Sequence, residues 1–138
     1  KGALGIGVHS LADMRLFLYP IAQCIGLLLA DGRVCGFDYV EEGEVDFCRV
    51  NRLELRKHPK GYEVYDLEKR LFYNFEYFNR VTNSYLLTSV TDLDGRSIRL
   101  SYENGVLATL TDACGRWVTV RHTDAGFIES LQFRYRTC

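Results

Sequence analysis

The sequence predicts an all-β chain, an antiparallel up-and-down array of hairpins, and three observations predict it. First, one unit is written twice. Leu87-Thr88-Ser89-Val90-Thr91-Asp92-Leu93-Asp94-Gly95-Arg96 returns twenty residues on as Leu107-Ala108-Thr109-Leu110-Thr111-Asp112-Ala113-Cys114-Gly115-Arg116. Ile98, Leu100 and Tyr102 likewise become Val118, Val120 and His122, and a third unit opens at Ile128-Glu129-Ser130-Leu131-Gln132. A period near twenty, with a turn signal in each half, marks a stacked or wrapped β array. Second, Asp94-Gly95, Asn104-Gly105, Cys114-Gly115 and Asp124-Ala125-Gly126 fall ten residues apart. Asp-Gly and Asn-Gly supply the positive φ angles of tight hairpin turns, so each marks a chain reversal. Third, nine Tyr and eight Phe against two Pro lean towards strands.

From the N-terminus, Gly5-Ile6-Gly7 lacks the third glycine of a nucleotide-binding turn, because Ser10 stands there, and no helix pattern follows. Met14 to Ala30 has the charged start and apolar run of a signal peptide. Pro20 and Gln23 interrupt it, it runs into Asp31-Gly32-Arg33, and its apolar part is too short to span a bilayer. Two strands are expected instead, Arg15–Tyr19 and Cys24–Ala30, the second turning at Asp31-Gly32 into Val34–Tyr39. Glu41-Glu42-Gly43-Glu44-Val45-Asp46 reads as a solvated loop tip between strands. Leu53 and Leu55 alternate with Arg52, Glu54 and Arg56, Pro59-Lys60-Gly61 turns the chain, and Tyr62–Tyr65 returns it. After a turn at Asp66–Lys69, the aromatic run Phe72, Tyr73, Phe75, Tyr77 and Phe78 reads as core rather than a stacking platform for sugars or bases.

Two-residue turns throughout set an expected register for the repeats. They put Leu87, Ser89 and Thr91 on one face with Ile98, Leu100 and Tyr102, then Leu107, Thr109 and Thr111. Val118, Val120 and His122 follow, and Ile128, Ser130 and Gln132 close the row. Val90, Leu110 and Leu131 fall on the opposite face among Arg99, Ser101, Arg121 and Glu129, so neither face is cleanly apolar.

With 138 residues the chain has room for one domain or a piece of one, and no linker divides it. Pre-repeat strands occupy residues 1–84 and the repeats 85–138. A net charge of −1 favours neither nucleic acid nor an anionic membrane, and no membrane span is present. His9, His58 and His122 are scattered, and Cys24, Cys35, Cys48, Cys114 and Cys138 form no Cys-x-x-Cys pair, so zinc has no support. An odd, irregular set of cysteines fits free thiols from a reducing cytoplasm, with Cys114 exposed on its turn. There is no Gly-x-Ser-x-Gly elbow and no phosphate loop. The expectation is a chain with no catalytic residues, no cofactor and no metal.

The repeat units resemble the RHS, or YD-repeat, family. That signature is an Asp-x-x-Gly-Arg turn, a short apolar strand, Tyr-Asp or Tyr-Glu, and Gly before an apolar residue. Here these are Asp92-Leu93-Asp94-Gly95-Arg96, Ile98-Arg99-Leu100, Tyr102-Glu103-Asn104-Gly105 and Leu107. The second copy keeps Asp112, Gly115 and Arg116 but has His122 for the tyrosine and Cys114 at the turn, with Gly126 following. Gly7-Val8-His9-Ser10-Leu11 through Asp31-Gly32-Arg33 is similar to the opening of RHS cores, with Val8 where an aromatic residue is expected.

What the resemblance implies is the N-terminal part of the RHS core of a bacterial polymorphic toxin. In that family the repeats coil into a hollow β shell enclosing a C-terminal toxin used in interbacterial competition. The implied partners are the rest of the shell, its toxin, and a secretion-machinery or adaptor protein. The chain would be made in the cytoplasm and exported within a larger secretion-system effector, and alone it is expected to self-associate. Two other classes remain open. One is a cell-surface adhesion or carbohydrate-binding module, which would lose glycan binding on mutation of Phe75 or Tyr77. The other is an enzyme using Glu41–Asp46, as a carboxylate pair or calcium ligands, which would lose activity on mutation of Glu42 or Glu44.

Overall fold

The computed structural model describes residues 11, 13–111, 117–122 and 128–134. Twelve strands follow one helical turn around Leu11 and Asp13: β1 (Arg15–Tyr19), β2 (Cys24–Leu28), β3 (Val34–Asp38), β4 (Val45–Cys48), β5 (Leu53–His58) and β6 (Gly61–Asp66). The rest are β7 (Leu71–Asn79), β8 (Ser84–Asp92), β9 (Ser97–Glu103), β10 (Val106–Thr111), β11 (Trp117–His122) and β12 (Ile128–Arg134). All belong to one antiparallel sheet, with β4 to β12 side by side in chain order. The all-β, up-and-down expectation is what the structure shows.

The sheet forks at β8. Its first half pairs with β1, Leu16 opposite Tyr85, and its second half pairs with β9, Val90 opposite Ile98. From β1 the sheet continues through β2 to β3. β3 returns beside β4, where the Asp38 backbone N–H donates to Asp46 Oδ2 at 2.9 Å. Strands β1 to β8 therefore form a nearly closed barrel, while β9 to β12 leave it as a hairpin ribbon. Bulges at Asn74/Phe75 and Phe75/Tyr77 bend β7 where it passes the fork.

Alternation fills the barrel. Leu16, Ile25, Leu27, Phe37, Leu55, Val64, Phe75 and Leu87 are buried in one cluster, with Leu11 and Met14 from the helical turn. Each such side chain contributes about 1.5–3 kcal/mol of apolar burial. The aromatic run divides: Tyr73 and Phe75 are core, Phe72 and Tyr77 are half-buried, and Phe78 is exposed.

The repeat faces require a correction. Between β8 and β9 the Asp92 N–H donates to the Arg96 carbonyl, leaving a three-residue loop of Leu93, Asp94 and Gly95. An odd loop shifts the pairing by one, so Val90 and not Thr91 lies opposite Ile98. The Asn104-Gly105 turn has the expected two residues, with Glu103 opposite Val106. A bulge between Leu107 and Thr109 then shifts the register again. As a result Val90, Ile98, Leu100, Leu107 and Leu110 are all buried in the same core cluster, and one face is apolar after all. Further along, Leu110 is paired with Val118 and Val120 with Leu131.

Candidate functional site

Two Asp-Gly-Arg turns share one set of backbone bonds. At the first, Leu29 N–H donates to the Arg33 carbonyl and Gly32 N–H to the Leu29 carbonyl. At the second, Asp92 N–H donates to the Arg96 carbonyl and Gly95 N–H to the Asp92 carbonyl. Gly32 and Gly95 occupy the left-handed region at φ 91° and 86°, which glycine adopts without strain. The carboxylates differ in place. Asp31, inside its loop, accepts from the Arg33 backbone at 3.0 Å and from Arg33 Nε at 2.7 Å. Asp92, at the strand end, accepts from the backbones of Asp94 and Arg96 and from Arg96 Nε at 2.8 Å. Arg96 also reaches Asp94 at 3.5 Å.

These bonds hold both carboxylates below their ordinary range. For Asp31 the Arg33 backbone contributes most, followed by its guanidinium. For Asp92 desolvation opposes the shift, and the Arg96 backbone and guanidinium overcome it. Arg33 carries the first turn outwards, its Nη1 donating to Asn51 Oδ1 at 2.9 Å on the β4–β5 loop.

The motif tyrosine acts at the fork. The Tyr102 hydroxyl donates to the Leu87 carbonyl at 2.5 Å, where β8 passes from the β1 ladder to the β9 ladder. Its ring lies 5.1 Å from that of Tyr77, and the Tyr77 hydroxyl accepts from Gly105 N–H at 3.2 Å. Asn104 and Gly105 both have positive φ, 54° and 80°. The turn of one hairpin is thereby docked on the preceding long strand. Burial drives the Tyr102 phenol well above its usual pKa. Asp112, Gly115, Arg116, Gly126 and Cys114 lie outside the described residues.

Beside a hollow of about 430 Å³ lined by Asp92, Asp94 and Arg96, two others flank these elements. One, of about 330 Å³, has Met14, Leu27, Leu53, Val64 and Tyr73 within and Asp31, Arg33, Asn51, Asp66, Glu68 and Lys69 around it. The other, of about 660 Å³, is polar, lined by Lys60, Asn74, Glu76, Thr88 and Arg99 among others. No group of three or more His, Cys, Asp or Glu able to hold a metal occurs among the described residues. His58 Nδ1 accepts from the Lys60 backbone, and its Nε2 faces Glu76 at 3.7 Å. In the acidic run, Glu44 accepts from the Glu41 backbone and Asp46 from that of Asp38, so two of its carboxylates cap main-chain donors. No helix among the described residues is long and apolar enough to cross a membrane.

Sequence reasoning found the turns and Tyr102 but missed Tyr77, Asn51 and the neighbouring thiols of Cys35 and Cys48. Tyr77 was visible only as one aromatic among five, and twelve residues between two cysteines form no motif. No family model matches the chain, and no curated protein matches it.

Proposed function

We propose that the chain is a wall segment of an RHS-type shell, helping to enclose and deliver a C-terminal toxin domain in competition between bacteria. The observation that carries this reading is the route of the sheet. It does not end with the barrel but leaves it at β8 and continues through β12 in chain order. The Asp92–Arg96 latch closes the β8–β9 turn. The Tyr102 bond to Leu87 and the Gly105 bond to Tyr77 join the β9–β10 hairpin to the strands before it, contacts of a kind that a further copy could repeat. In this reading the barrel starts the wall, the repeats extend it, and the chain performs no reaction of its own. Export as part of a larger effector follows from the same reading.

Sedimentation velocity at several concentrations tests it. Among the described residues β12 has one neighbour, β11, and an unpaired strand edge recruits another chain. The wall reading expects association that grows with concentration, or solubility only beside a partner covering that edge. A strictly monomeric, cooperatively folding species at high concentration would instead favour a self-sufficient binding module.

A further inference from the structure

The barrel is closed by a ladder everywhere except between β3 and β4. These strands run antiparallel, and among the described residues no backbone ladder joins them; a bond from Asp38 N–H to the Asp46 side chain crosses the seam. Counting from that bond in opposite directions along the two strands brings Cys48, at the end of β4, level with Gly36, one residue from Cys35. Both thiols are on the inner side of the seam. Cys35 is buried in the core cluster, and Cys48 packs against it while remaining partly accessible. Both are reduced, and each lies near enough to the other to shift its ionisation.

We propose that Cys35 and Cys48 form a redox-sensitive pair that a small-molecule disulfide oxidises to an intrachain disulfide, stapling the β3–β4 seam. The two thiols have different parts in it. Asn51 Nδ2 donates to Cys48 Sγ at 3.6 Å, and Arg33 holds that amide from the other side. Desolvation works to raise the Cys48 pKa, but hydrogen bonds from Cys35, Asn51 and the Val50 backbone take it below its usual value. Cys35 goes the other way, pushed up to about 11 by burial and by Cys48. A partly accessible thiol with a lowered pKa is the attacking member of such a pair, and the buried neighbour resolves the intermediate.

The chemistry balances. The Cys48 thiolate attacks one sulfur of the oxidant, forming a mixed disulfide and expelling one thiolate, which takes up the proton Cys48 lost. Cys35 then loses its proton and attacks the Cys48 sulfur, expelling the second. Two protein thiols become one disulfide, and the oxidant leaves as two thiols. The bond would close a loop of fourteen residues, 35 to 48, across the one seam without a ladder. The proposal is independent of the shell reading.

The test is treatment of the native 138-residue protein with oxidised glutathione, followed by intact mass, peptide mapping and thermal unfolding. The expected product is a monomer lighter by two hydrogens, with a peptide linking Cys35 to Cys48. Its Tm should rise by roughly 5–15 °C, and a reducing phosphine should reverse the rise. Cys35→Ser should stop the reaction at a glutathione adduct on Cys48 with no rise in Tm. If both thiols of the wild-type protein stay open to alkylation, the proposal is overturned. A lasting adduct on wild-type Cys48, or a bond to another cysteine, also overturns it. Mapping on the wild-type protein decides the matter even if the serine variant does not fold.

Discussion

The Tyr102 hydroxyl bonds to the Leu87 carbonyl at the point where β8 changes neighbours, so one side chain closes the fork on which the barrel and the ribbon meet. Tyr102→Phe keeps the ring and its contact with Tyr77 while leaving that carbonyl without its donor. The loss should be about 1–2 kcal/mol, seen as a lower denaturant midpoint with an unchanged slope. An unchanged midpoint would mean that water serves the carbonyl equally well.

Gly105 is constrained twice. Its φ of 80° disfavours any β-branched residue, and a Cβ there would stand 2.9 Å from Asn79 Nδ2. Gly105→Val should destabilise by about 1–3 kcal/mol. Chemical denaturation of the variant checks this, and wild-type stability would show that the turn is not docked on β7 in solution.

Alkaline pH should unfold the protein. Burial pushes Tyr62 up to about 12, and Tyr73 and Tyr102 further in the same direction. A phenol whose folded pKa is raised stabilises the fold fully below its unfolded pKa, about 10. That stability is lost as pH rises through the folded value, because the unfolded chain releases the proton more readily. Tm should therefore be level up to about pH 10 and fall above it. Phenolate absorbance from these three should appear together with unfolding. Full tyrosine ionisation with the far-ultraviolet circular dichroism intact would contradict their burial.

Four hairpin loops of four residues each end on a non-glycine residue in the left-handed region: Gln23, Arg52, Arg70 and Asn83, at φ 51–57°. An L-residue there costs about 1–2 kcal/mol, part of which glycine recovers after its own entropic penalty. Arg52→Gly should therefore stabilise by roughly 0.5–1 kcal/mol, because Arg52 is exposed. A loss of stability would assign the Arg52 side chain a contact of its own.

Those loops also show where the sequence stops being informative. Asn104-Gly105 was readable because two consecutive positive φ angles demand those residues. Asp94-Gly95 was misread because Asp-Gly serves a three-residue loop equally well, with glycine alone in the left-handed position. That one residue, together with the bulge after Leu107, moved Val90 and Leu110 onto the apolar face. Gln23 and Arg52 carry no turn signature at all. The β1–β8 pairing joins residues some seventy positions apart, and nothing local announces it. Tyr102 stood out as a motif residue, whereas its acceptor is a main-chain carbonyl and has no identity in the sequence.

The most direct measurement of the central claim is electron cryomicroscopy of the intact protein that carries this chain. The account predicts a hollow β shell in which β1 to β8 form a barrel at one end of the wall. From there β9 to β12 should run without interruption into further hairpins around an enclosed C-terminal domain. A separate bead joined to its neighbours by a flexible linker, with β12 at a solvent-exposed edge and no enclosed domain, would contradict it.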